Sequence, residues 1–395
     1  KNVAPEALRS GKYRVLRSMP LLFHPAEPHT LLFATSVLWK TIDEGQHWKI
    51  ISPDLTREKT DVPTNIGDFR TPELNNMRRR GVIYAVSASP IHAGTIWAGT
   101  DDGLVHMTSD GGSHWSDVTP PGIQAWDKIS QIDAGHFDKM TAYIAVNSLR
   151  KDDLIPHIYK THDGGKSWSV VVNGINLNGN SVNVVREDPK QPGLLYAGTE
   201  REVYFTIDDG AHWQSLKNNM PPTSIRDLVI KDNDLVVGTH GRSIWILDNT
   251  VPLREMASSL ATAKPYLFTS PTAYRIRDNM FHDTPFPPEE PAGQNPPDGA
   301  MIDYYLPSNC TRVSLEILDP MDQTVRRYSS EDLKEKLGDH LPYPDYWVKP
   351  WKGLSTQAGH HRWIWDLHIE PPVGISRELT IAAVNHKTPT SPMGP

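Results

Sequence analysis

A chain of 395 residues with 22% charged residues and a formal net charge of -7 is a poor match to a nucleic-acid backbone, because its longest basic run is only Arg78-Arg79-Arg80. No run of 18 apolar residues occurs, so no membrane-spanning helix is expected. The single cysteine, Cys310, excludes a disulfide framework within the chain.

In chain order, the first elements are short apolar runs bounded by Gly, Pro and Asp. Leu21-Leu22-Phe23 and Leu31-Leu32-Phe33 come first, and Ile50-Ile51 follows a polar segment. Runs of this length and composition read as strands. The polar segment, Thr41-Ile42-Asp43-Glu44-Gly45-Gln46-His47-Trp48, recurs as Thr108 to Trp115, Thr161 to Trp168 and Thr206 to Trp213. The shared pattern is T-x-D-x-G-x-x-W, and its repetition fixes the architecture before any local reading. Each residue type suits one part of a tight hairpin. The Asp accepts backbone N–H groups in an Asx-type turn. The Gly supplies a backbone angle that other residues adopt at a cost. The Trp opens the next strand and lays its apolar face over the turn. Asp43, Asp110, Asp163 and Asp208, with Trp48, Trp115, Trp168 and Trp213, are therefore expected to be scaffold.

The repeat extends beyond the motif. A small-residue step follows a strand at Phe33-Ala34-Thr35, Ala98-Gly99-Thr100 and Ala197-Gly198-Thr199. A fifth unit lacks the motif but keeps Ile225 to Ile230, Val237-Gly238-Thr239 and Ile244 to Leu247. The motif aspartates are spaced by 67, 53 and 45 residues. A unit of roughly 45 residues with about four strands has the size of a propeller blade. The longer spacings imply insertions at Arg57 to Arg80 and at Ser148 to Pro156. The expected fold class is all-β, with about five propeller blades over residues 1–252 as part of a larger ring. The chain begins at Lys1 and ends on a proline-rich loop, so it reads as a fragment whose missing blades lie upstream or whose arc is completed by a second propeller packed alongside. A linker and proline-rich loop are expected over 253–300, and an incomplete β-sandwich over 301–395.

Within the sandwich, Met301 to Leu306 and Val313 to Leu318 read as paired strands, and Ser329 to Leu337 as a short helix. Trp347, Trp351, Trp363 and Trp365 cluster late. They read as core packing or as a sugar-stacking platform, with Trp363 and Trp365 on one strand face.

These residues carry a family resemblance. The motif is similar to the Asp-box, or bacterial neuraminidase repeat. The stretch from about Lys12 to Pro252 resembles bacterial Asp-box propellers related to sortilin-type luminal domains, which include glycosyl-hydrolase-like and photosystem-stability-factor-like proteins. The pieces that carry it are Ile51 to Thr56, Trp97 to Gly103 and Val237-Gly238-Thr239-His240-Gly241-Arg242-Ser243-Ile244-Trp245. Gly359 to Leu367 looks like the β-sandwich that follows the propeller in that family. The resemblance implies a propeller with an Ig-like sandwich, in a secreted or periplasmic bacterial protein. Two departures narrow it. One cysteine leaves no sortilin-type cysteine-rich module, and the absence of Arg-Ile-Pro argues against a sialidase.

Metal and cofactor signatures are absent: there is no H-E-x-x-H, C-x-x-C pair, EF-hand loop, P-loop or G-x-S-x-G. His360 and His361 are adjacent and would face opposite ways on a strand. No metal and no cofactor are expected. Candidate ligand residues follow the small-residue step, on loops at the channel mouth opposite the motif turns. They are Asp101, Asp102, Glu200, Arg201, His240 and Arg242. Asp101-Asp102-Gly103 reads as an acidic turn or a Ca²⁺ ligand pair. Arg242, after Gly241, reads as a ligand contact or a buried arginine pinning neighbouring blades. Asp133, His136, Glu187 and Asp188 follow inner strands and are expected to line the channel. Two function classes remain. One is a binding module for protein, peptide or glycan without catalysis, an assembly-factor role being a variant of it. The alternative is a glycoside hydrolase like the xyloglucan-degrading Asp-box enzymes. Its two carboxylates would come from Asp101, Asp102, Asp133 and Glu200, roughly 5–9.5 Å apart.

Overall fold

Each T-x-D-x-G-x-x-W segment closes the hairpin between the third and fourth strands of an antiparallel sheet. The computed structural model describes residues 3–257, 263–274, 287, 289–290, 293, 295–332 and 352–369. Blade 1 comprises β1 (Leu21–His24), β2 (Glu27–Ala34), β3 (Leu38–Thr41) and β4 (Lys49–Ile50). Blade 2 comprises β5 (Ile83–Ala88), β6 (Ile96–Thr100), β7 (Val105–Thr108) and β8 (Ser116–Asp117). Blade 3 comprises β9 (Lys128–Ala134), β10 (Ala142–Asn147), β11 (His157–Thr161) and β12 (Ser169–Val170). Blade 4 comprises β13 (Val182–Glu187), β14 (Leu195–Thr199), β15 (Val203–Thr206) and β16 (Gln214–Ser215). Blade 5 has three strands, β17 (Ile225–Lys231), β18 (Asp234–Thr239) and β19 (Ile244–Leu247). The result is a propeller-type all-β fold. The first strands of blades 2 to 5 lie side by side and form its inner wall.

The motif turn is nearly the same in all four copies. The Thr41 hydroxyl donates to Asp43 Oδ1 (2.8 Å) and accepts the Gly45 N–H (3.1 Å), while Asp43 Oδ1 also accepts the His47 N–H (2.9 Å). The corresponding distances at Asp110 are 2.8, 3.1 and 2.9 Å. Asp163 and Asp208 repeat the arrangement. These bonds stabilise the anion. The amide and ring of His47 hold the Asp43 carboxyl down at about 2, and the hydroxyl and amide of Ser167 hold Asp163 at about 2. Gly112 is required twice over. Its φ is +96°, and a Cβ there would lie 2.3 Å from the Ile51 carbonyl oxygen.

The tryptophans depart from expectation. Each indole reaches the preceding segment rather than its own turn. Trp115 Nε1 donates to the Ile51 carbonyl (2.8 Å), Trp168 to Val118 (2.8 Å), Trp213 to Val171 (2.9 Å) and Trp48 to Val3 (2.8 Å). For Trp115, Trp168 and Trp213 the acceptor is the main-chain carbonyl just past the preceding fourth strand, which has no ladder partner of its own, and for Trp48 it is a carbonyl of the N-terminal segment.

The core sits between blades. Leu32, Leu38 and Ile51 pack with Ile83 and Ile96. Trp97 and Val105 pack with Ile129, Ile132 and Ile144. Tyr143 and Ile158 pack with Val182, Val185, Tyr204 and Trp213. The glycines of the small-residue step serve these seams. A Cβ on Gly99 would lie 2.3 Å from Ile129 Cγ2, and one on Gly198 would lie 2.6 Å from Ile225 Cγ2. Gly99→Ala is therefore expected to cost about 1–3 kcal/mol through overpacking. Gly238→Ala, whose added Cβ meets nothing nearer than 3.6 Å, should cost nothing measurable. Urea midpoints of the two variants test this, and equal losses would refute it. On the end blades, Leu21, Phe23, Ile244 and Ile246 are exposed.

The insertion between Arg57 and Arg80 carries two short helical turns, Thr64–Phe69 and Pro72–Asn76. The chain divides into two compact units, Lys1–Leu247 and Asp248–Pro395, against an expected boundary at Pro252. In the second unit, β20 (Tyr266–Leu267), β21 (Ala300–Leu306) and β24 (Gly359–Trp365) form one sheet, and β22 (Ser314–Leu318) and β23 (Thr324–Ser329) another. The expected pairing of Met301–Leu306 with Val313–Leu318 is corrected. β21 pairs with β20 and β24, and β22 pairs with β23 across a tight turn. Ile302, Tyr304, Leu306, Leu354 and Trp363 form the shared core, with Leu315, Ile317, Tyr328 and Trp365 packed against it. Packing is thus the observed role of Trp363 and Trp365. Trp347, Trp351 and most of the expected helix after Ser329 lie outside the described residues. Among the described residues, no helix is long and apolar enough to cross a membrane.

Candidate functional site

In an antiparallel meander, connections 1–2 and 3–4 emerge at one end of the blade and connection 2–3 at the other. The motif turns therefore share an end with the loops after β9 and β13. The loops after the small-residue step occupy the opposite end.

At that opposite end, the first strands of blades 2 to 5 break register at equivalent positions. Tyr84, Ser130, Asn183 and Arg226 are the extra residues. A bulge re-aims a side chain at the rim of a sheet, and these four do distinct work. Ser130 Oγ donates to the Val182 carbonyl of the next blade (3.3 Å), and Asn183 Nδ2 to the Ile225 carbonyl (3.0 Å). Asn183 Nδ2 and Arg226 Nη1 both donate to Glu200 Oε1, at 3.0 and 3.1 Å. Tyr84 presents its ring to Lys128, whose Nζ lies 4.7 Å from the ring centroid. Burial lowers the pKa of Lys128. The fields of Arg150 and Arg226 act the same way, against Glu200 and Asp101.

Asp101 and Asp102 belong to this end but are closed off, at 2% and 5% exposure. Asp101 Oδ2 accepts from Arg80 (3.0 Å) and Arg150 (3.1 Å), and its Oδ1 accepts the Val82 N–H (2.9 Å). Arg80 also stacks over Trp126, 4.2 Å from the ring centroid. Asp102 accepts the Thr100 hydroxyl (2.6 Å) and the Arg57 N–H (3.1 Å). Burial pushes its carboxyl up. Among the described residues, no group of three or more His, Cys, Asp or Glu is placed to hold a metal ion.

Arg201, His240 and Arg242 lie on the same set of loops and are exposed. The buried-arginine expectation for Arg242 is corrected: its N–H bonds Thr239 Oγ1 (3.1 Å) and its carbonyl accepts Trp245 Nε1 (2.8 Å), which shapes the turn and leaves the side chain in solvent.

Asp133 sits at the other end, five residues along β9 from Lys128, roughly 15 Å away at the rise of a strand. Asp133 therefore lies toward the opposite end of the inner wall from the loop that carries Asp101 and Asp102. Asp133, Glu187 and Asp188 do not line an open channel: they are 6%, 4% and 0% exposed. Asp133 accepts from Arg186 Nη1 (3.2 Å) and the Glu187 N–H (2.8 Å). Glu187 accepts the His136 N–H (2.6 Å). Asp188 accepts the N–H groups of Lys190 (2.8 Å) and Gln191 (3.1 Å) in a turn. Asp133 and Glu187 tie blades 3 and 4 together, while Asp188 closes a turn within blade 4.

Lys128, Arg150, Arg226 and Tyr84 were not anticipated. A partial signal existed for Tyr84 and Arg226, since Ile83-Tyr84-Ala85 and Ile225-Arg226-Asp227, like Val182-Asn183-Val184, put a large or polar residue after the first apolar residue of the inner strand; Lys128 and Arg150 had none. A cavity of about 240 Å³ in the second unit, lined by Tyr266, Tyr304, Leu306 and Leu315, contains none of the candidate carboxylates.

No family model matches the chain. A curated relative, the oligoxyloglucan-reducing end-specific xyloglucanase of Emericella nidulans, is 29% identical over 112 residues, which is 27% of this chain and 13% of that protein. Among solved structures, the GH74 xyloglucanase from Xanthomonas campestris aligns with a TM-score of 0.44 at 21% identity, over 59% of this chain and 37% of that one. YCF48 from Cyanidioschyzon merolae aligns with a TM-score of 0.32 at 18% identity, over 43% of this chain and 54% of that one. The chain thus spans 13% and 37% of the lengths of these two xyloglucanases.

Proposed function

We propose that this chain is a secreted or periplasmic, glycan-directed propeller of the glycoside hydrolase type. Its ligand end is the rim formed by Tyr84, Lys128, Glu200 and Arg226. The observation that carries the reading is the 112-residue stretch 29% identical to a xyloglucanase. The rim supports it with an aromatic face and converging polar groups, the combination that sugar recognition uses. A second reading, glycan binding without cleavage, is favoured by one specific observation. Glu200, Asp101 and Asp102 each already hold a donor within 3.1 Å, so none stands as a free acid or base.

The test is reducing-end release from xyloglucan and β-glucan, alongside calorimetric binding of xyloglucan oligosaccharides, in the native chain and in Glu200→Gln. Binding that weakens at least about tenfold in Glu200→Gln, a loss of about 1.4 kcal/mol, supports the rim as the ligand end. Sugar release that also disappears in that variant supports the hydrolase. Binding without release supports the second reading. Neither binding nor release from any glycan would overturn the proposal.

A further inference from the structure

At the rim, the charges acting on the Lys128 ammonium come from Arg150, Arg226, Asp101 and Glu200. Both carboxylates are already taken. Asp101 holds Arg80 and Arg150, at 3.0 and 3.1 Å, and Glu200 holds Arg226 at 3.1 Å. Lys128 is left over. Among the described residues its Nζ makes no hydrogen bond and no ion pair, and the Tyr84 ring is its cation–π neighbour. A second donor is unmatched nearby: Arg80 Nη1 is buried without an acceptor. Withdrawing an ammonium from water is costly unless an anion meets it. Four cations, Lys128, Arg80, Arg150 and Arg226, thus stand against three carboxylates, Asp101, Asp102 and Glu200, a local positive excess in a chain whose formal net charge is -7.

We propose that the rim seats an anionic substituent of a sugar, a uronate carboxylate, with Lys128 as its counter-ion and Arg226 as a flanking donor. The proposal rests on the glycan-directed reading and narrows its substrate class from neutral to acidic chains. A carboxylate suits the pair chemically: the ammonium meets it as a point charge, and a guanidinium edge can align with its plane. Lys128 on β9 and Arg226 on the β17 bulge come from different blades, so the seat exists only when the inner wall is assembled.

The experiment uses the full chain and four probes: an oligogalacturonate, a sulfated oligosaccharide, a neutral cello-oligosaccharide, and a peptide with a free C-terminal carboxylate. Each is titrated by calorimetry into the native protein, Lys128→Met and Lys128→Arg, with the thermal midpoint of each variant recorded. The expected result is oligogalacturonate binding at least about tenfold tighter than the neutral chain. It should be lost in Lys128→Met and largely kept in Lys128→Arg, and it should weaken with added salt. The thermal midpoint of Lys128→Met should be unchanged or raised, because the substitution removes a charge without a partner. A purely structural lysine would instead lower it. Uronate binding unchanged in Lys128→Met, tighter binding of the sulfated probe, or binding of the peptide alone would each overturn the assignment. Neutral chains binding as well as uronate would overturn this inference and leave the glycan-directed function standing. Silence of both neutral and acidic glycans would remove that function as well.

Discussion

Trp213→Ala is expected to lower the unfolding free energy by about 3–5 kcal/mol, the range for removing a large buried aromatic side chain. Trp213 is 3% exposed and packs with Val171, Ile175 and Tyr204 at the seam of blades 3 and 4. The substitution opens a cavity there and strips the Val171 carbonyl of its 2.9 Å indole donor. Trp48→Ala is the control. The Trp48 indole makes the same kind of bond, to the Val3 carbonyl at 2.8 Å, but the side chain is only partly buried. Its loss should cost about 1 kcal/mol, the net worth of one hydrogen bond. Urea denaturation of both variants gives the comparison. Equal losses would show that the motif tryptophan stabilises its own turn, not the seam.

The second large effect concerns Arg186. It bonds Asp133 (3.2 Å), Asp227 (3.2 Å) and the Leu228 carbonyl (3.0 Å), and so links blades 3, 4 and 5. Arg186→Met should cost about 3 kcal/mol or more at pH 7, because it leaves Asp133 buried without its main counter-charge. The pH dependence separates this from simple packing loss. In the native protein burial pushes the Asp133 carboxyl up. Bonding to His136, the charges of Arg186 and His136, and the Glu187 amide outweigh it, so the carboxyl stays below its ordinary value. A depressed carboxyl contributes stability above its unfolded value of about 3.9, and that contribution fades as pH falls through the folded value. Without Arg186 burial prevails and the folded carboxyl rises. The variant then loses stability as pH climbs above about 4. Its deficit should therefore be large at pH 7 and small near pH 3.5, and Asp133→Asn in the same background should recover part of it. A deficit independent of pH would contradict the ion-pair account.

What the sequence made legible was local. The motif turn is closed by a hydroxyl, a carboxylate and a glycine within eight residues, so Asp43, Asp110, Asp163 and Asp208 could be assigned to scaffold from their neighbours alone. The small-residue step was visible, but its reason was not. Gly99 and Gly198 are small because an isoleucine of the next blade presses on them, a contact across some thirty residues. The candidate site shows the same divide. Asp101 and Glu200 were found as polar residues on expected loops. Arg226 matters through a bulge and Lys128 through its neighbours in adjacent blades; the local triplet hints at the first, and hydrophobic alternation encodes neither contact. Strand pairing in the second unit failed for a related reason. Partner choice between β21 and β24 is a long-range matter, whereas β22 and β23 are joined by the turn at Met321 and Asp322.

The indole bonds between segments have a historical side. Every donor is a motif tryptophan, and every acceptor is a main-chain carbonyl: Val3, Ile51, Val118 or Val171. A carbonyl is present whatever residue occupies the position, so the joint asks nothing of the neighbour's side chain. A copied blade brings its own fastener and finds a ready catch on whichever unit precedes it. The indole joint itself can therefore be copied with a unit and re-formed without a matched change in the neighbour's side chains, whereas the packed seams at Gly99 and Gly198 still require a fitting partner. Insertions as unlike as residues 57–80 and 148–156 can thus sit in one array while all four fasteners keep the same geometry.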